Sequence, residues 1–294
     1  MPRPKGSLNR STCTNMLLEV NQDLIDTKLV LLAQESNIDI LDRLKKKADI
    51  LTTMTRAVKN GHINAMIVSG PPGIGKSYGV ESVLEQDNIL DVIAARVPSF
   101  EVIRGAVSSI GLYSKLFQYR DPGNILVFDD SDSIFFDSDS LNILKSALNT
   151  SDHRFINWNK ESRTLREEDV PNRFEFRAGV IFITNIKFAN IRSKNLRDHL
   201  DALESRCHYI DLEMDTDREK MIWINHLVEQ QGMLDKYQFT YDIKQQIMQY
   251  IHDNTDNLRE LSLRTVLKCS DLYKMFPHTW RDIADVTLMR KVSI

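Results

Sequence analysis

The stretch that decides the fold is Gly70-Pro71-Pro72-Gly73-Ile74-Gly75-Lys76-Ser77, which fits the pattern G-x-x-x-x-G-K-[ST]. Its glycines let backbone N–H groups turn towards phosphate oxygens, because no Cβ stands in the way. The ammonium group of Lys76 suits the β- and γ-phosphates of a nucleotide, and the Ser77 hydroxyl can ligate Mg²⁺. The pattern predicts a phosphate-binding loop, and we include the next residue, Tyr78, among the cofactor-binding residues.

The residues on either side of this loop favour that interpretation over a glycine-rich turn without function. Residues 65–69 (AMIVS) are typical of a short buried strand, and residues 78–85 (YGVESVLE) are typical of a helix. A helix that begins at the loop points its positive end at a bound anion. Strand, loop and helix in this order are the context that the pattern requires.

The composition is that of an ordinary globular protein. Of 294 residues, 42% are hydrophobic and 27% are charged, which is enough for one large domain or two modest ones. The net charge is −3, so any contact with nucleic acid would need a local basic patch. Three distant cysteines fit neither a zinc site nor a disulfide framework, which predicts a cytoplasmic location. Without a run of 18 apolar residues, we expect no membrane span and no membrane partner.

The order of predicted elements indicates four segments. Residues 1–13 are basic and rich in turn formers, which favours a flexible tail, with a nucleic-acid arm as the alternative. Residues 14–60 have apolar side chains at helical spacing, and residues 61–215 alternate strands with helices. Residues 216–294 contain helical patterns alone. The predicted strands are 65–69, 92–97, 125–128, 179–184 and 208–212.

This alternation predicts an α/β fold with a doubly wound, parallel, five-stranded sheet, followed by a small α-helical lid domain. Strand 125–128 is entirely apolar, which is typical of a central strand in a parallel sheet.

Polar residues follow two of the predicted strands. Asp129 and Asp130 come directly after strand 125–128, and Thr184-Asn185 ends strand 179–184. Ligands of open α/β sheets bind at the carboxyl ends of the strands. We therefore expect Asp129 to hold Mg²⁺, Asp130 to polarise a water for attack on the γ-phosphate, and Asn185 to position that water. Asp132 and Asp137 are interpreted as surface or capping acids.

With these pieces in order, residues 40–275 resemble the AAA+ ATPases. Residues 70–77 look like Walker A, residues 125–130 like Walker B, and residues 182–185 like sensor 1. Residues 203–207 (LESRC) look like the arginine-finger box, and residues 257–261 (NLREL) look like sensor 2 in a helical lid.

The resemblance implies binding of ATP or ADP with Mg²⁺, and ATP hydrolysis between the subunits of a homo-oligomeric ring such as a hexamer. It also implies that Arg206 reaches the γ-phosphate of a neighbouring subunit, and that Arg259 contacts the phosphate from the lid. Arg264 is the rival of Arg259, while Arg192 and Arg197 are rivals of Arg206. Surface salt bridges are the alternative for each arginine.

The end of Walker B departs from the family pattern. The family has Asp-Glu at this place, whereas this chain has Asp129-Asp130. Asp is one methylene shorter than Glu, so the water would have to lie closer to the chain. Slow or lost hydrolysis is therefore an alternative, although we favour retained activity because the chain also has a sensor 1 and a finger.

A predicted hairpin precedes sensor 1, with strands at 154–158 and 174–177. Such an insertion resembles motor and remodelling members of the family, and the chain is most similar to the small AAA+ proteins of phages and bacteria. Basic and aromatic residues between the strands suit a polymer grip, although nearby acids favour a solvated hairpin instead. The basic and aromatic residues are Trp158, Lys160, Arg163 and Arg166.

Three functions remain open at this point. We favour a motor or remodeller acting on nucleic acid or a nucleoprotein complex, in the host cytoplasm if the chain is phage-encoded. The alternatives are an ATP-gated loader with slow turnover and a protein-unfolding chaperone.

Overall fold

A computed structural model describes residues 35–93 and 99–290. The chain divides into two compact units, residues 1–43 and 44–294. Within the first unit, Arg43 forms an ion pair with Glu35 at 2.9 Å. The predicted basic tail, and the helical prediction for residues 14–34, lie outside the described residues.

Strands and helices alternate up to residue 211, and helices follow from residue 217. The strands are β1 (Ala65–Ser69), β2 (Phe100–Arg104), β3 (Ile125–Asp129), β4 (Phe155–Asn157), β5 (Arg173–Glu175), β6 (Gly179–Thr184) and β7 (His208–Asp211). The helices are α1 (Asn37–Lys59), α2 (Lys76–Ile93), α3 (Ser109–Gln118), α4 (Ser138–Ala147), α5 (Arg163–Glu167), α6 (Lys194–Glu204), α7 (Asp217–Glu229), α8 (Tyr241–Asp253), α9 (Leu263–Met275) and α10 (Trp280–Leu288). Short 3₁₀ helices span Asp132–Phe135, Phe188–Asn190 and Asp235–Tyr237.

A five-stranded parallel sheet with the strand order β2-β3-β6-β1-β7 forms the centre of the second unit. The mixed α/β class and the five parallel strands predicted from the sequence are confirmed. Strands β1, β3 and β6 are buried at every position, which explains their continuous apolar runs.

The predicted second strand is wrong. Val92 and Ile93 belong to helix α2, residues 94–98 lie outside the described residues, and the second strand of the sheet is β2. Strand β2 forms one edge of the sheet, and its residues are half-buried or exposed. An edge strand with Glu101 and Arg104 among its five residues has no continuous apolar run, so the pattern that identified the central strands did not detect it.

The larger hydrophobic core lies on one face of the sheet. It joins alternate residues of β1, β3 and β6 to helices α3, α4 and α6. The rings of Phe128 and Phe182 stack there with centroids 5.5 Å apart. Val58 of α1 approaches strand β6 so closely that a Cβ on Gly179 would lie 2.5 Å from Val58 Cγ1. Glycine is therefore required at this position to let α1 pack against the sheet.

Strands β4 and β5 form the predicted antiparallel hairpin before β6, and α5 lies between them. Trp158, which we expected on the surface of this hairpin, is only 7% exposed. Its ring packs against Tyr113 with centroids 5.4 Å apart. Burying the indole ring removes a large apolar area from water, and this stabilises the fold more than an exposed ring would. Trp158 therefore belongs to the core.

Helices α7 to α10 enclose a hydrophobic core of their own, with Ile247, Ile251, Val266 and Trp280 at its centre. Thr216 begins α7 with a capping box, in which its side chain accepts from the Glu219 N–H and Glu219 accepts from the Thr216 N–H. No helix in residues 35–93 or 99–290 is long and apolar enough to cross a membrane.

Candidate functional site

The loop of residues 70–77 connects β1 to α2 at the carboxyl edge of the sheet. Gly73 and Gly75 have φ angles of 69° and 97°, in the left-handed region that favours glycine. A Cβ on Gly73 would also lie 2.6 Å from Ser262 Cβ. The glycines of the pattern are thus needed for the loop conformation and for the close approach of Ser262.

Lys76 is buried and lies at the centre of the loop. Its Nζ donates to Gly70 O and Pro71 O, each at 2.8 Å, and to Asn185 Oδ1 at 2.7 Å. Burial lowers the pKa of Lys76 to about 8, an effect that Asp130 and Asp129 partly oppose. Because this ammonium group is poorly solvated, an anion bound in the loop would stabilise its charged form.

Ser77 and Asp129 meet where α2 begins and β3 ends. Ser77 Oγ donates to Asp129 Oδ1 at 2.8 Å, and Arg104 Nε donates to Asp129 Oδ2 at 3.1 Å. Asp129 is 5% exposed. Both oxygens of this buried carboxylate therefore have partners.

Asp130 and Asn185 face each other across strands β3 and β6. Asn185 Nδ2 donates to Asp130 Oδ1 at 2.8 Å, so this one amide bridges Lys76 and Asp130. Asp130 has a φ of 50°, an unusual value that Asp tolerates better than most residues. Hydrogen bonds thus connect Lys76, Asn185 and Asp130 in one group and Ser77 with Asp129 in another. We call these five residues the strand-edge cluster.

Asp132 is not the surface acid that we expected. It is half-buried, and it accepts a hydrogen bond from Thr184 Oγ1 at 2.7 Å. Burial raises the pKa of Asp132, and the Thr184 hydrogen bond opposes that rise. Asp137 is a capping acid as predicted, because its side chain accepts from the Ser140 N–H at the beginning of α4.

Two contacts connect the loop to the C-terminal helices. Trp223 Nε1 of α7 donates to Ile74 O at 3.1 Å, and the Leu263 N–H at the beginning of α9 donates to Gly73 O at 2.9 Å. Both loop carbonyls therefore depend on the position of these helices.

A cavity of about 1090 Å³ opens beside the loop. Residues of the strand-edge cluster line one part of it, and apolar side chains of α1 and α7 line another, among them Leu44, Ala48, Trp223 and Leu227. The volume is sufficient for a nucleotide-sized ligand. Tyr78, 79% exposed, also lies at its margin.

The two candidate lid arginines occupy different places. Arg264 lines the cavity and lies close enough to Lys76 to lower its pKa. Arg259 donates from Nε to Met289 O at 2.7 Å, at the far end of the helical region. The structure thus brings Arg264, and not Arg259, to the loop.

Arg206 follows helix α6 and is half-buried. Its guanidinium donates to Ala202 O and, at 3.5 Å, to Ser205 Oγ. It is not among the described residues that line the cavity. Its role as an arginine finger stays a prediction.

Sequence reasoning missed Arg104 and Trp223. Arg104 was missed because the second strand was predicted at residues 92–97, whereas Arg104 ends the strand that is present, β2. Trp223 lies on helix α7, and nothing in the local sequence indicates that its N–H reaches the loop. Correct placement of β2 would have identified Arg104, since its register partner is Asp129.

The residues present fit Mg²⁺. Ser77 Oγ and Asp129 Oδ1 are hard oxygen ligands held 2.8 Å apart beside the loop, which is the ligand chemistry that Mg²⁺ prefers. The remaining ligands of such an ion come from water and phosphate oxygens in sites of this kind.

The fold and the site define a parallel α/β protein with a glycine-rich loop and a cluster of polar side chains at the carboxyl edge of its sheet. No protein-family model matches the chain. It is 33% identical over 253 residues to an uncharacterized 36.7 kDa protein in the nrdC-mobD intergenic region of Enterobacteria phage T4, covering 85% of this chain and 76% of that protein. The chain belongs to the family of this phage T4 protein.

Two solved structures show a weaker likeness. PCH-2 of C. elegans has a TM-score of 0.35 and 13% identity, covering 80% of this chain and 63% of that chain. Drosophila ORC bound to DNA has a TM-score of 0.34 and 11% identity, covering 97% and 65%. The chain spans less than two thirds of either solved chain, and at TM-scores below 0.5 neither likeness defines its function.

Proposed function

We propose that the protein binds ATP with Mg²⁺ and hydrolyses it, as an AAA+ ATPase. The observation that carries this proposal is the convergence of the strand-edge cluster on the glycine-rich loop. A buried lysine, a hydroxyl, two carboxylates and an amide come from three separate parts of the chain, and hydrogen bonds of 2.7–2.8 Å connect them in two groups, Lys76–Asn185–Asp130 and Ser77–Asp129. No packing requirement explains why such polar groups should be collected at one edge of the sheet.

Each residue of the cluster then has a role. Backbone N–H groups of residues 73–77 and the beginning of α2 hold the phosphates, together with Lys76. Ser77 and Asp129 hold Mg²⁺, which neutralises phosphate charge when it is bound. Asp130 accepts a proton from the attacking water, and Asn185 positions that water.

We assign the lid contact with the phosphates to Arg264. It lines the cavity, whereas Arg259 is bound to a backbone carbonyl elsewhere. The planar guanidinium group suits phosphate oxygens. Because the lid would contact both the nucleotide and the loop carbonyls, the position of its helices would depend on the nucleotide state.

The proposal is tested first by nucleotide affinity. Lys76→Ala should weaken ATP binding by about 100-fold or more in calorimetry, because charge-assisted hydrogen bonds contribute about 1.5–3 kcal/mol each. Lys160→Ala is the matched control, since Lys160 is 63% exposed and pairs with Asp139 on the surface. If both variants bind ATP like the wild type, the loop is not a nucleotide site.

We further propose that the ATPase acts as a homo-oligomer, with Arg206 serving the site of a neighbouring subunit. Support comes from the resemblance, and from the fact that Arg206 is not among the described residues that line the cavity of its own chain. ATPase activity per subunit should then rise with protein concentration. A protein that stays monomeric with ATP in light scattering, and is fully active at nanomolar concentration, would exclude this arrangement.

Mixing two inactive variants tests the arrangement more sharply. Lys76→Ala and Arg206→Ala should each be nearly inactive. In a random equimolar mixture, roughly one interface in four joins an intact Lys76 to an intact Arg206, so roughly a quarter of wild-type activity should return. A mixture of Arg206→Ala and Arg264→Ala should recover activity in the same way if Arg264 acts within its own chain, and it should stay inactive if both arginines of one subunit serve the same neighbouring site.

Nucleic acid or a nucleoprotein complex is the substrate that we propose. The supporting observation is on the hairpin, where Phe155 is 41% exposed and the Arg173 guanidinium lies 4.3 Å from its ring centroid. Exposed aromatic rings beside cations stack on bases. ATPase rates with DNA, RNA and unfolded protein distinguish the substrates, and Phe155→Ala should reduce stimulation by nucleic acid.

An ATP-gated loader is the second candidate, and Asp130 is the observation that favours it. A shorter carboxylate at the position of the base is compatible with slow turnover. Partner affinity that changes between ATP and ADP, with fewer than about one turnover per second, would favour the loader over a motor.

A further inference from the structure

Arg104 occupies a position where it meets the carboxylate that we assign to Mg²⁺. Strands β2 and β3 run parallel, and Arg104 and Asp129 are register partners at their carboxyl ends. The Arg104 side chain uses two different nitrogens for two carboxylates. Nε donates to Asp129 Oδ2 at 3.1 Å, while a terminal nitrogen forms an ion pair with Glu81 Oε1.

The second partner, Glu81, lies on the same face of α2 as Ser77, since the two residues are four positions apart. Arg104 therefore spans the space between the end of β3 and the first turns of α2. The same two elements carry Asp129 and Ser77, the residues that would hold Mg²⁺.

The Arg104 guanidinium and a divalent cation would compete for the same carboxylate, that of Asp129. Asp129 is buried, and its two oxygens are taken by the Ser77 hydroxyl and by Arg104. A divalent cation bound to Asp129 would lie beside the guanidinium charge and repel it. An arginine guanidinium is not deprotonated in proteins, so Arg104 remains charged throughout.

Arg104 is also able to move away. Its side chain is 57% exposed, and β2 is an edge strand of the sheet, so solvent lies next to it. Glu81 would remain as a partner after Arg104 left Asp129. Departure would then leave neither the guanidinium nor the buried carboxylate without a counter-charge.

We propose that Arg104 is a positioning residue that neutralises and orients Asp129 until Mg²⁺ arrives with the nucleotide, and that it sets how much Mg²⁺ the site requires. This inference rests on the proposed function, because it assigns a role within the same ATP site. In the Mg²⁺-bound state, Arg104 pairs with Glu81 alone.

The test measures Mg²⁺-dependent binding of a fluorescent, non-hydrolysable ATP analogue, so it does not depend on turnover. Arg104→Gln should lower the Mg²⁺ concentration for half-maximal binding by about threefold to tenfold, because a competing and partly exposed cation is removed. Arg104→Lys retains the charge and should stay close to the wild type. Arg163→Gln, which removes an exposed arginine paired with Glu167, is the control and should change nothing.

Glu81→Gln should change the Mg²⁺ concentration for half-maximal binding in the opposite direction. Without Glu81, the charge of Arg104 is directed at Asp129 alone, and the Mg²⁺ requirement should rise by about twofold to fivefold. Melting temperatures of the four variants identify any that are misfolded, and if Arg104→Gln is among them, Glu81→Gln carries the test.

Three results would overturn the inference. An unchanged or raised Mg²⁺ requirement in Arg104→Gln shows that Arg104 does not compete for Asp129. Shifts of Arg104→Gln and Glu81→Gln in the same direction show that the ion pairs only maintain local structure. A wild-type protein that binds no analogue at any Mg²⁺ concentration overturns the proposed function as well, whereas the first two results leave it intact.

Discussion

The strand-edge cluster and the hairpin insertion (residues 154–177) contain similar charged residues in very different surroundings. Lys76 and Asp129 are 6% and 5% exposed, and they contact groups far away in the sequence. Lys160 and Arg163 of the hairpin have side chains that are 63% and 90% exposed, and Arg163 pairs with Glu167 one helical turn away.

This difference in burial determines how strongly each charged residue affects stability. Exposed pairs contribute about 0–1 kcal/mol each, since water solvates both partners nearly as well when they are apart. Buried polar groups would cost several times more if they were left without partners, so their arrangement is constrained. The three predictions that follow compare the two regions, and the largest expected effect comes first.

Asp130→Asn should reduce ATP turnover by about 100-fold to 10,000-fold and leave ATP binding nearly unchanged. An amide can donate and accept hydrogen bonds, but it cannot take a proton from water as a carboxylate does. Turnover is measured by phosphate release, and binding by calorimetry.

The matched control is Asp139→Asn on α4, which removes a charge that pairs with Lys160 of the hairpin insertion. It should leave turnover within about twofold of the wild type. If Asp130→Asn hydrolyses ATP normally, the base lies elsewhere and the contrast between the two regions does not extend to catalysis.

The hairpin itself should depend on its apolar residues. Trp158→Ala should lower the free energy of unfolding by about 3–5 kcal/mol, because it leaves a large cavity beside Tyr113. Its indole N–H has no hydrogen-bond partner among the described residues, so Trp158→Phe should be much milder. Denaturant unfolding measures both.

Phe155→Ala on the exposed face of the same hairpin is the comparison, and it should cost less than about 1 kcal/mol. Equal destabilisation by Trp158→Ala and Phe155→Ala would show that the hairpin has no buried side of its own.

The smallest predicted effect is a proton uptake. With a pKa of about 8, Lys76 is mostly neutral at pH 8.5 before ATP binds, and phosphate favours its charged form. Binding should therefore take up about 0.7 proton at pH 8.5 and much less at pH 7, and affinity should fall as the pH rises above 8. Calorimetry in buffers of different ionisation enthalpy measures this uptake.

Lys76→Arg keeps a permanent charge at the same place, and the uptake should disappear in this variant. Lys160→Ala should retain it. Uptake that persists in Lys76→Arg would assign the proton to another group of the site.

The central strands were predicted well, and the edge of the sheet was not. Strands β1 and β6 have the bounds that their apolar runs predicted, because they are buried on both faces and have no room for polar residues. Strand β2 is half-exposed, and its mixed composition does not differ from that of a loop. The error at β2 hid Arg104, which has the strongest link to the proposed metal site outside the strand-edge cluster.

In the hairpin, the strands were predicted correctly, but the burial of a side chain was not. Its two strands were predicted, and its pairing is confirmed. The chemical interpretation of Trp158 was wrong, because a sequence shows that an aromatic residue is present but does not show which side of a strand pair is covered by a helix.

By itself, the sequence determined the phosphate-loop pattern, the central parallel strands, and the positions of Asp129, Asp130 and Asn185 at strand ends. These features are local, since each depends on residue type and on spacing within a single element. The tertiary structure alone decided that Arg264 lies at the loop while Arg259 does not, that Trp223 and Leu263 bind the loop carbonyls, and that Arg104 reaches Asp129. Such contacts join residues from 25 to 190 positions apart, and their formation depends on strand register and helix placement, which no local pattern contains.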